Sequence, residues 1–462
     1  MTKTRSNKDF TTGPLFMPLF LFAIPLMLSG LLQVGYSMAD NIVVGKFSGD
    51  DLALAAVGST TIYNNLIITF MLGFSGGAGV IVAQCFGSKD ERRLERSIHT
   101  AMALSVISGI AFGILGFIFT KPVLLLMGTK PELIAGATLY MHIICLGIPA
   151  NIIYNFGAAV LRSLGDSKSS LYILAVAGLI NVVLNLFFVI VCHMTVDGVA
   201  YATIISQYIS AILVVIVMMR QSGASKLIFK KLRIDKSIFA SIMRLGLPAG
   251  FSNSLFALSN MIITSAFNTF STETIYARTV VQNVDSIVTT FITSYQRSTM
   301  TFVAQNYGAA KIDRIKKSFW YSMIQMLIIT VVSAQLILLF YRPIASLYIG
   351  NDNANMETIL DIASTFFKIL LNTYFICGIM NILEAMLRGI KYSLTPAIVS
   401  VFSIIGCRLI WVYFIFPFEP FNTANWLMIS FPISWVIATA AYVVITVIAW
   451  KKLGRTLNKI TL

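Results

Sequence analysis

The feature that most limits what this chain can become is a succession of apolar runs, mostly about 20–30 residues long, separated by short charged clusters. A helix rises about 1.5 Å per residue, so runs of that length match a hydrocarbon core of about 30 Å. Only 11% of the 462 residues are charged, against about a quarter in a soluble domain, and mean hydropathy is +0.82. A chain this apolar cannot hide its surface in a water-soluble core and uses lipid as its solvent. The first run, from Leu15, contains Pro18 and Pro25 and leads straight into further spans, which marks it as a span that stays rather than a cleaved leader.

Helices are expected at 15–45, 52–85, 93–120, 133–160, 168–192 and 196–220, then at 241–270, 275–307, 316–341, 360–387, 393–416 and 426–450. Basic residues sort by side. One set of loops receives Lys89, Arg92, Arg93 and Arg96, the central run from Arg220 to Lys236, Lys311 to Lys317, and Arg388 with Lys391. The opposite loops hold only Lys46, Lys121, Lys130, Arg278 and Arg342. By the positive-inside rule the first set is cytoplasmic and so are both termini, which requires an even number of spans; twelve fits. The expected fold class is an all-α membrane protein of twelve transmembrane helices in two pseudo-symmetric six-helix bundles, multi-pass in the cell (inner) membrane.

The formal charge of +15 invites a nucleic-acid reading. Its distribution over alternate loops, with no single stripe interleaved with aromatics, argues against nucleic acid as a partner. The five cysteines, Cys85, Cys145, Cys192, Cys377 and Cys407, lie in or beside apolar spans without metal-ligand spacing and read as packing residues. His99, His142 and His193 sit apart with no His-x-x-x-His pattern, so neither an enzyme nor a metal or other cofactor is expected. No filter-like segment points to a channel.

The sequence repeats itself around the basic segment. Ala23-Ile24-Pro25 returns as Gly246-Leu247-Pro248, Ala83-Gln84 with Gly87 as Ala304-Gln305 with Gly308, and Leu161-Arg162-Ser163 as Leu387-Arg388-Gly389. The offsets are 223, 221 and 226 residues, which describes one duplication. The expected domains are an N-terminal lobe over 1–220, a basic cytoplasmic linker over 221–240 and a C-terminal lobe over 241–462. An even number of spans per lobe makes a parallel repeat about an axis along the membrane normal, with a substrate path expected between the halves.

Polar groups inside spans need a reason, because a charge at mid-depth costs about 2.5–3.5 kcal/mol on insertion scales. Ser29, Gln33, Tyr36 and Asp40 are spaced four, three and four apart and share one face of an otherwise apolar helix. That stripe faces a wet cavity or other helices; Asp40 alone also fits the outer headgroup region beside Lys46. Asn181 and Asn185 share a face of the fifth span, either to bridge helices or to bind. Asp285 stands out in the eighth span, with Lys368 or Arg408 as candidate ion partners and substrate contact as the other reading. Glu384, four residues before Arg388, is expected to form a helix-end pair.

Pro25, the run Asp40-Asn41-Ile42-Val43-Val44-Gly45, Ala83-Gln84 with Gly87, Leu161-Arg162-Ser163-Leu164-Gly165-Asp166, and Asn181 with Asn185 together carry a resemblance to the multidrug and toxic compound extrusion (MATE) family. The resemblance covers nearly the whole chain. It implies secondary active efflux of amphipathic organic cations or drugs by antiport with H⁺ or Na⁺, through alternating access, by a monomer in the lipid bilayer. It implies a coupling site of Asp40, Asn181, Asn185, Tyr36, Thr203 and Asn155, a substrate cavity touching Gln33 and Asp285, and a functional kink at Pro25. Where many members carry an acid, this chain has Asn185, one negative charge fewer, which weakens a Na⁺ site. The acids some members use in the seventh and tenth spans are missing from Phe256-Ala257-Leu258 and Phe375-Ile376-Cys377. A flippase for lipid-linked oligosaccharides, a distant relative of the family, is the alternative that Arg297, Lys368 and Arg408 keep open. A major-facilitator transporter is not matched, because Gly87-Ser88-Lys89-Asp90-Glu91-Arg92 has the wrong spacing for its Gly-x-x-x-Asp-Arg loop.

The topology is checked by cysteine labelling. Thr129→Cys, with Ser48→Cys and Asn353→Cys, is expected to react from outside, and Ser225→Cys and Thr456→Cys only after the membrane is permeabilised. Opposite accessibility at any two positions overturns the twelve-span order.

Overall fold

A computed structural model describes residues 8–47, 51–349 and 355–458; the side chains of 37, 39–57, 196, 347, 349 and 455–458 lie outside that description. The described residues are helical, without strands. In order they form α1 (Phe16–Phe47), α2 (Asp51–Gly87), α3 (Glu91–Leu126), α4 (Pro131–Ser163), α5 (Lys168–Leu186) and α6 (Val196–Met219). Then come α7 (Lys236–Phe267), α8 (Thr272–Gly308), α9 (Ile312–Leu339), α10 (Tyr341–Ile349), α11 (Met356–Leu371) and α12 (Tyr374–Gly389). The last are α13 (Leu394–Ser400), α14 (Cys407–Ile410) and α15 (Ala424–Asn458).

Among the described residues, 10 helical stretches are long and apolar enough to cross a membrane. Two expected spans fall short of that measure although they are helices of full length. In α8 the reason is plain: Thr, Ser, Gln and Asn recur along it, together with Arg278 and Asp285. The tenth expected span, 360–387, is two helices, α11 and α12, broken at Asn372 and Thr373. The fifth and eleventh spans carry wide π-helical turns, at Phe187–Val191 in one, and at Val401–Gly406 and Trp411–Ile415 in the other.

The duplication read from the sequence reaches the backbone. The helices α1 and α7 are each 32 residues long, and α2 and α8 are each 37. After α2 the chain turns through Lys89 at φ 58°, and after α8 through Ala310 at φ 55°. After α4 it turns through Gly165 at φ 85°, and after α12 through Lys391 at φ 73°. Three of these four left-handed positions hold a side chain rather than the glycine that relieves such a turn.

Contacts divide the chain into two compact units. Unit 1 is Met1–Thr12 with Ile24–Gly250; unit 2 is Gly13–Ala23 with Phe251–Leu462. The chain passes between them first at Thr12 and Gly13, before α1, and then twice inside a helix, beside Pro25 in α1 and beside Pro248 in α7.

In unit 1, α4 packs against α2, α3 and α6, and α5 packs on α6. The first half of α7 crosses α2 at backbone contact. A side-chain carbon added at Gly73 would stand 2.5 Å from the Ala249 carbonyl oxygen, and one at Gly77 would stand 2.5 Å from the Gly246 Cα. Gly73 and Gly77 on α2 thus face Gly246 and Gly250 on α7, two small-x-x-x-small pairs of the kind that lets helices touch in lipid. The segment before α7 is tied to α3: Arg96 pairs with Asp235 at 3.4 Å, and the Ile228 N–H donates to His99 Nε2 at 3.1 Å.

In unit 2, α8 packs against α9, α11 and α12, and α15 covers α12. The opening turns of α1 belong here. Gln325 donates to the Phe16 carbonyl at 2.7 Å, Arg314 donates to the Gly13 carbonyl at 2.9 Å, and the Phe22 ring meets Phe302 edge-on at 5.7 Å.

The glycine crossing is tested by Gly77→Ala, whose methyl meets backbone that cannot step aside. Overpacking of this kind costs about 1–3 kcal/mol, so the thermal midpoint of the purified protein is expected to fall by several degrees. Gly58→Ala on the same helix, with nothing within 4 Å, is expected to leave it unchanged. Equal midpoints for the two variants would remove the crossing as a stabilising contact.

Candidate functional site

The polar stripe of α1 begins one turn after Pro25, where the Ser29 hydroxyl donates to the Pro25 carbonyl at 2.6 Å. This local bond satisfies a buried hydroxyl inside the apolar span. Gln33 is exposed, and Tyr36 is half-buried. Asp40 falls in the last turns of α1, and its side chain lies outside the described residues.

Tyr36 fixes the stripe to α5. Its hydroxyl donates to the Ala175 carbonyl at 3.3 Å, and its ring rests in the gap left by Gly178. A side-chain carbon at Gly178 would stand 1.8 Å from Tyr36 Cε2, so only glycine admits the ring. One turn further along α5 comes Asn181, and one turn beyond it Asn185, both buried. Asn185 Nδ2 donates to Asn181 Oδ1 at 3.3 Å, which orients both carboxamides.

The structure therefore brings Tyr36, Asn181 and Asn185 to neighbouring turns of one helix–helix contact. Thr203 donates to the Val199 carbonyl at 2.9 Å, and Asn155 donates to Asn151 Oδ1 at 2.8 Å, each within its own helix. Sequence reasoning passed over Gly178. The signal was present, since Gly178 lies three residues before Asn181 and shares its face. Carboxamides do not titrate, so this arrangement can supply oxygen acceptors and N–H donors but no proton change.

Unit 2 holds a second polar group, built differently. Asp285 on α8 is 9% exposed and accepts a hydrogen bond from the buried hydroxyl of Tyr374, the first residue of α12. This corrects the expected partners: Lys368 is exposed on α11, and Arg408 donates instead to Asn260 Oδ1 at 2.5 Å. Arg278, expected in an outer loop, is buried inside α8 on the same face as Asp285, seven residues earlier.

The Arg278 guanidinium lies 5.8 Å from the Phe267 ring centre and 5.5 Å from that of Phe431. Arg408, only 1% exposed, lies 5.2 Å from the ring centre of Phe256 and 4.5 Å from that of Phe431. The two cations share one aromatic ring. Towards the other end of α8, Glu384 and Arg388 pair at 2.5 Å as expected, with Glu384 buried and Arg388 half-buried, and Gln296 donates to Glu384 at 2.9 Å.

Among the described residues no group of His, Cys, Asp and Glu could hold a metal ion. The polar groups brought together are oriented carboxamides in unit 1, and guanidiniums, a carboxylate and aromatic rings in unit 2.

Comparison with known proteins shows the family. A family model described as MatE matches residues 25–187 and 248–414, one block in each half of the duplication. A Bacillus subtilis protein named "Probable multidrug resistance protein YoeA" is 31% identical over 397 residues, 84% of each chain. A Shewanella oneidensis protein named "FAD transporter" is 23% identical over 413 residues, 88% of each chain. Among solved structures, a crystal structure of MATE in complex with MaL6 superposes with a TM-score of 0.88 at 19% identity, covering 98% of this chain and 100% of the other. With the family matched across both halves, this multi-pass membrane protein belongs to the MATE family of transporters.

Proposed function

We propose that the chain is an efflux antiporter that exports amphipathic organic cations or drugs in exchange for H⁺, with Na⁺ as the other candidate, by alternating access as a single chain of twelve spans. The observation that carries the coupling reading is the seating of Tyr36 against Gly178. On the twelve-span order, the first and fifth spans cross the membrane in the same direction. One turn on from Tyr36 along α1 is Asp40, and one turn on from Gly178 along α5 is Asn181, displaced by about 6 Å and about 4.5 Å. The same direction of travel sets Asp40 level with the Asn181–Asn185 pair.

On this reading Asp40 supplies the carboxylate that exchanges the proton, and the neutral carboxamides supply hydrogen-bonding groups. A carboxylate drawn out of water favours its neutral form, because desolvation penalises the charge. It loads a proton from the outer side and gives it to the cytoplasm. Antiport follows when loading lowers affinity for a cationic cargo. Asn185 in place of a second acid weakens a Na⁺ site by removing a charged ligand, which favours H⁺. Pro25, without an N–H to donate, leaves α1 free to bend where the chain leaves unit 2 for unit 1. The relative named as a FAD transporter sets a second cargo class, phosphate-bearing anions, beside the organic cations.

Reconstituted vesicles with separately imposed pH and Na⁺ gradients test the reading. Asp40→Asn is expected to insert normally and to lose uphill dye efflux under either gradient, while Asn181→Ala retains a reduced rate because the charge remains. Uphill efflux at the wild-type rate in Asp40→Asn removes Asp40 as the coupling group, and transport of only anionic or lipid-linked compounds replaces the cation reading with the flippase one. Pro25→Ala is expected to lower transport several-fold more than it lowers folded protein in the membrane. Equal losses in both would make the proline a static bend.

A further inference from the structure

Buried guanidiniums normally find acids. Arg278 and Arg408 are 7% and 1% exposed, and among the described residues neither forms an ion pair with a carboxylate. Arg408 spends one donor on Asn260; its Nε and Nη2, and the Nε and Nη1 of Arg278, are buried without a protein acceptor. Four nitrogens carrying six N–H groups, on two cations that share one ring, Phe431, are therefore held out of water and unmatched by the protein. Asp285, which Tyr374 also holds, is the acid that acts on Arg278, so two positive charges face one negative charge.

Leaving a charged donor buried and unmatched is costly, and a native chain tolerates it where a ligand supplies the match. The fold points the same way by an independent route. Arg408 sits in the four-residue helix α14 between two π-helical turns, and π turns inside α-helices gather at functional sites.

We propose that Arg278 and Arg408, with Asn260 and the Phe431 ring, form a subsite in unit 2 for an oxyanion, the carboxylate or phosphate of an amphiphilic substrate. A guanidinium presents its N–H groups as a planar fork, and two forks match the two or three oxygens of such a group. The Phe431 ring that both cations approach would supply apolar contact for the adjoining carbon skeleton. The subsite thus adds an organic anion or zwitterion to the cations proposed above as cargo. The proposal rests on the transporter reading for the idea of a cargo, and on no part of the coupling site in unit 1.

The test is binding to the purified full chain in nanodiscs, with four matched probes: 2-naphthoate, 2-naphthyl phosphate, neutral 2-naphthamide and cationic 2-naphthylmethylammonium. The acid or the phosphate is expected to bind at least about tenfold more tightly than the amide and the cation, a difference of about 1.4 kcal/mol. In Arg408→Gln and Arg278→Gln that preference is expected to disappear, while the thermal midpoint of Arg408→Gln without ligand stays level or rises, because a buried charge without a carboxylate partner has been removed. No preference for the anions in the wild-type protein overturns the proposal without recourse to any variant. So does a preference that survives in both variants, which would place the anion elsewhere. Failure of dye efflux under imposed gradients would count against the antiport reading alone and leave the binding result standing.

Discussion

The bare-backbone crossing of α2 and α7 is the constraint on which the rest of unit 1 depends. Lipid gives apolar side chains little reason to leave it, so helices in a membrane are held by close packing and by hydrogen bonds more than by a hydrophobic drive. Gly73 and Gly77 against Gly246 and Gly250 supply the first of these, because any side chain there would occupy the space of the opposing backbone. The crossing commits the first half of α7 to unit 1, although its second half and every later helix belong to unit 2. The opening turns of α1 make the converse commitment through Gln325 and Arg314, with hydrogen bonds in place of glycines.

Both helices that change units carry a proline beside the point of change, and the reason lies in how each is held. A helix that is rigidly packed at its two ends against different partners concentrates bending between them. Pro25 and Pro248 sit there, where a missing N–H already leaves the ladder open. The two units then use opposite chemistry for their interior polar groups. Unit 1 orients neutral carboxamides with a tyrosine that only a glycine can admit. Unit 2 buries cations over aromatic rings, an environment where a guanidinium gains from the ring quadrupole as it loses water.

Much of this was legible in the sequence, because it depends on period and charge sign. Most helix ends fell within four residues of the expected ones, though α3 runs on to Leu126, α7 begins at Lys236 and α15 runs on to Asn458, and the echoes at Pro25 and Pro248 and at Gly87 and Gly308 mark equivalent backbone positions. The Glu384–Arg388 pair could be read from its spacing. The features that escaped depend on neighbours distant in the chain. Arg278 reads as a loop residue because its charge and its place near a helix start fit one, and only Phe267 and Phe431 explain its burial. The polarity of α8 conceals how thoroughly it is enclosed by α9, α11 and α12. Gly178 has no side chain to announce itself, and its meaning lies in the Tyr36 ring that fills the gap.

The π-helical turns have a consequence for how such a span is inherited. A π turn holds one residue more than the α turn it replaces, so it amounts to an insertion that the helix has absorbed without breaking. Everything beyond it is rotated by about 100° relative to an uninterrupted helix. The fifth span takes this step after Asn185, and the eleventh takes it both before and after Arg408. Loss of a single residue within one π turn would restore the plain α period and leave the far end of the span on the face it now presents. These two spans can therefore shorten by a residue without changing what they present beyond the turn, whereas the same loss in a plain α stretch would swing everything past it by about 100°.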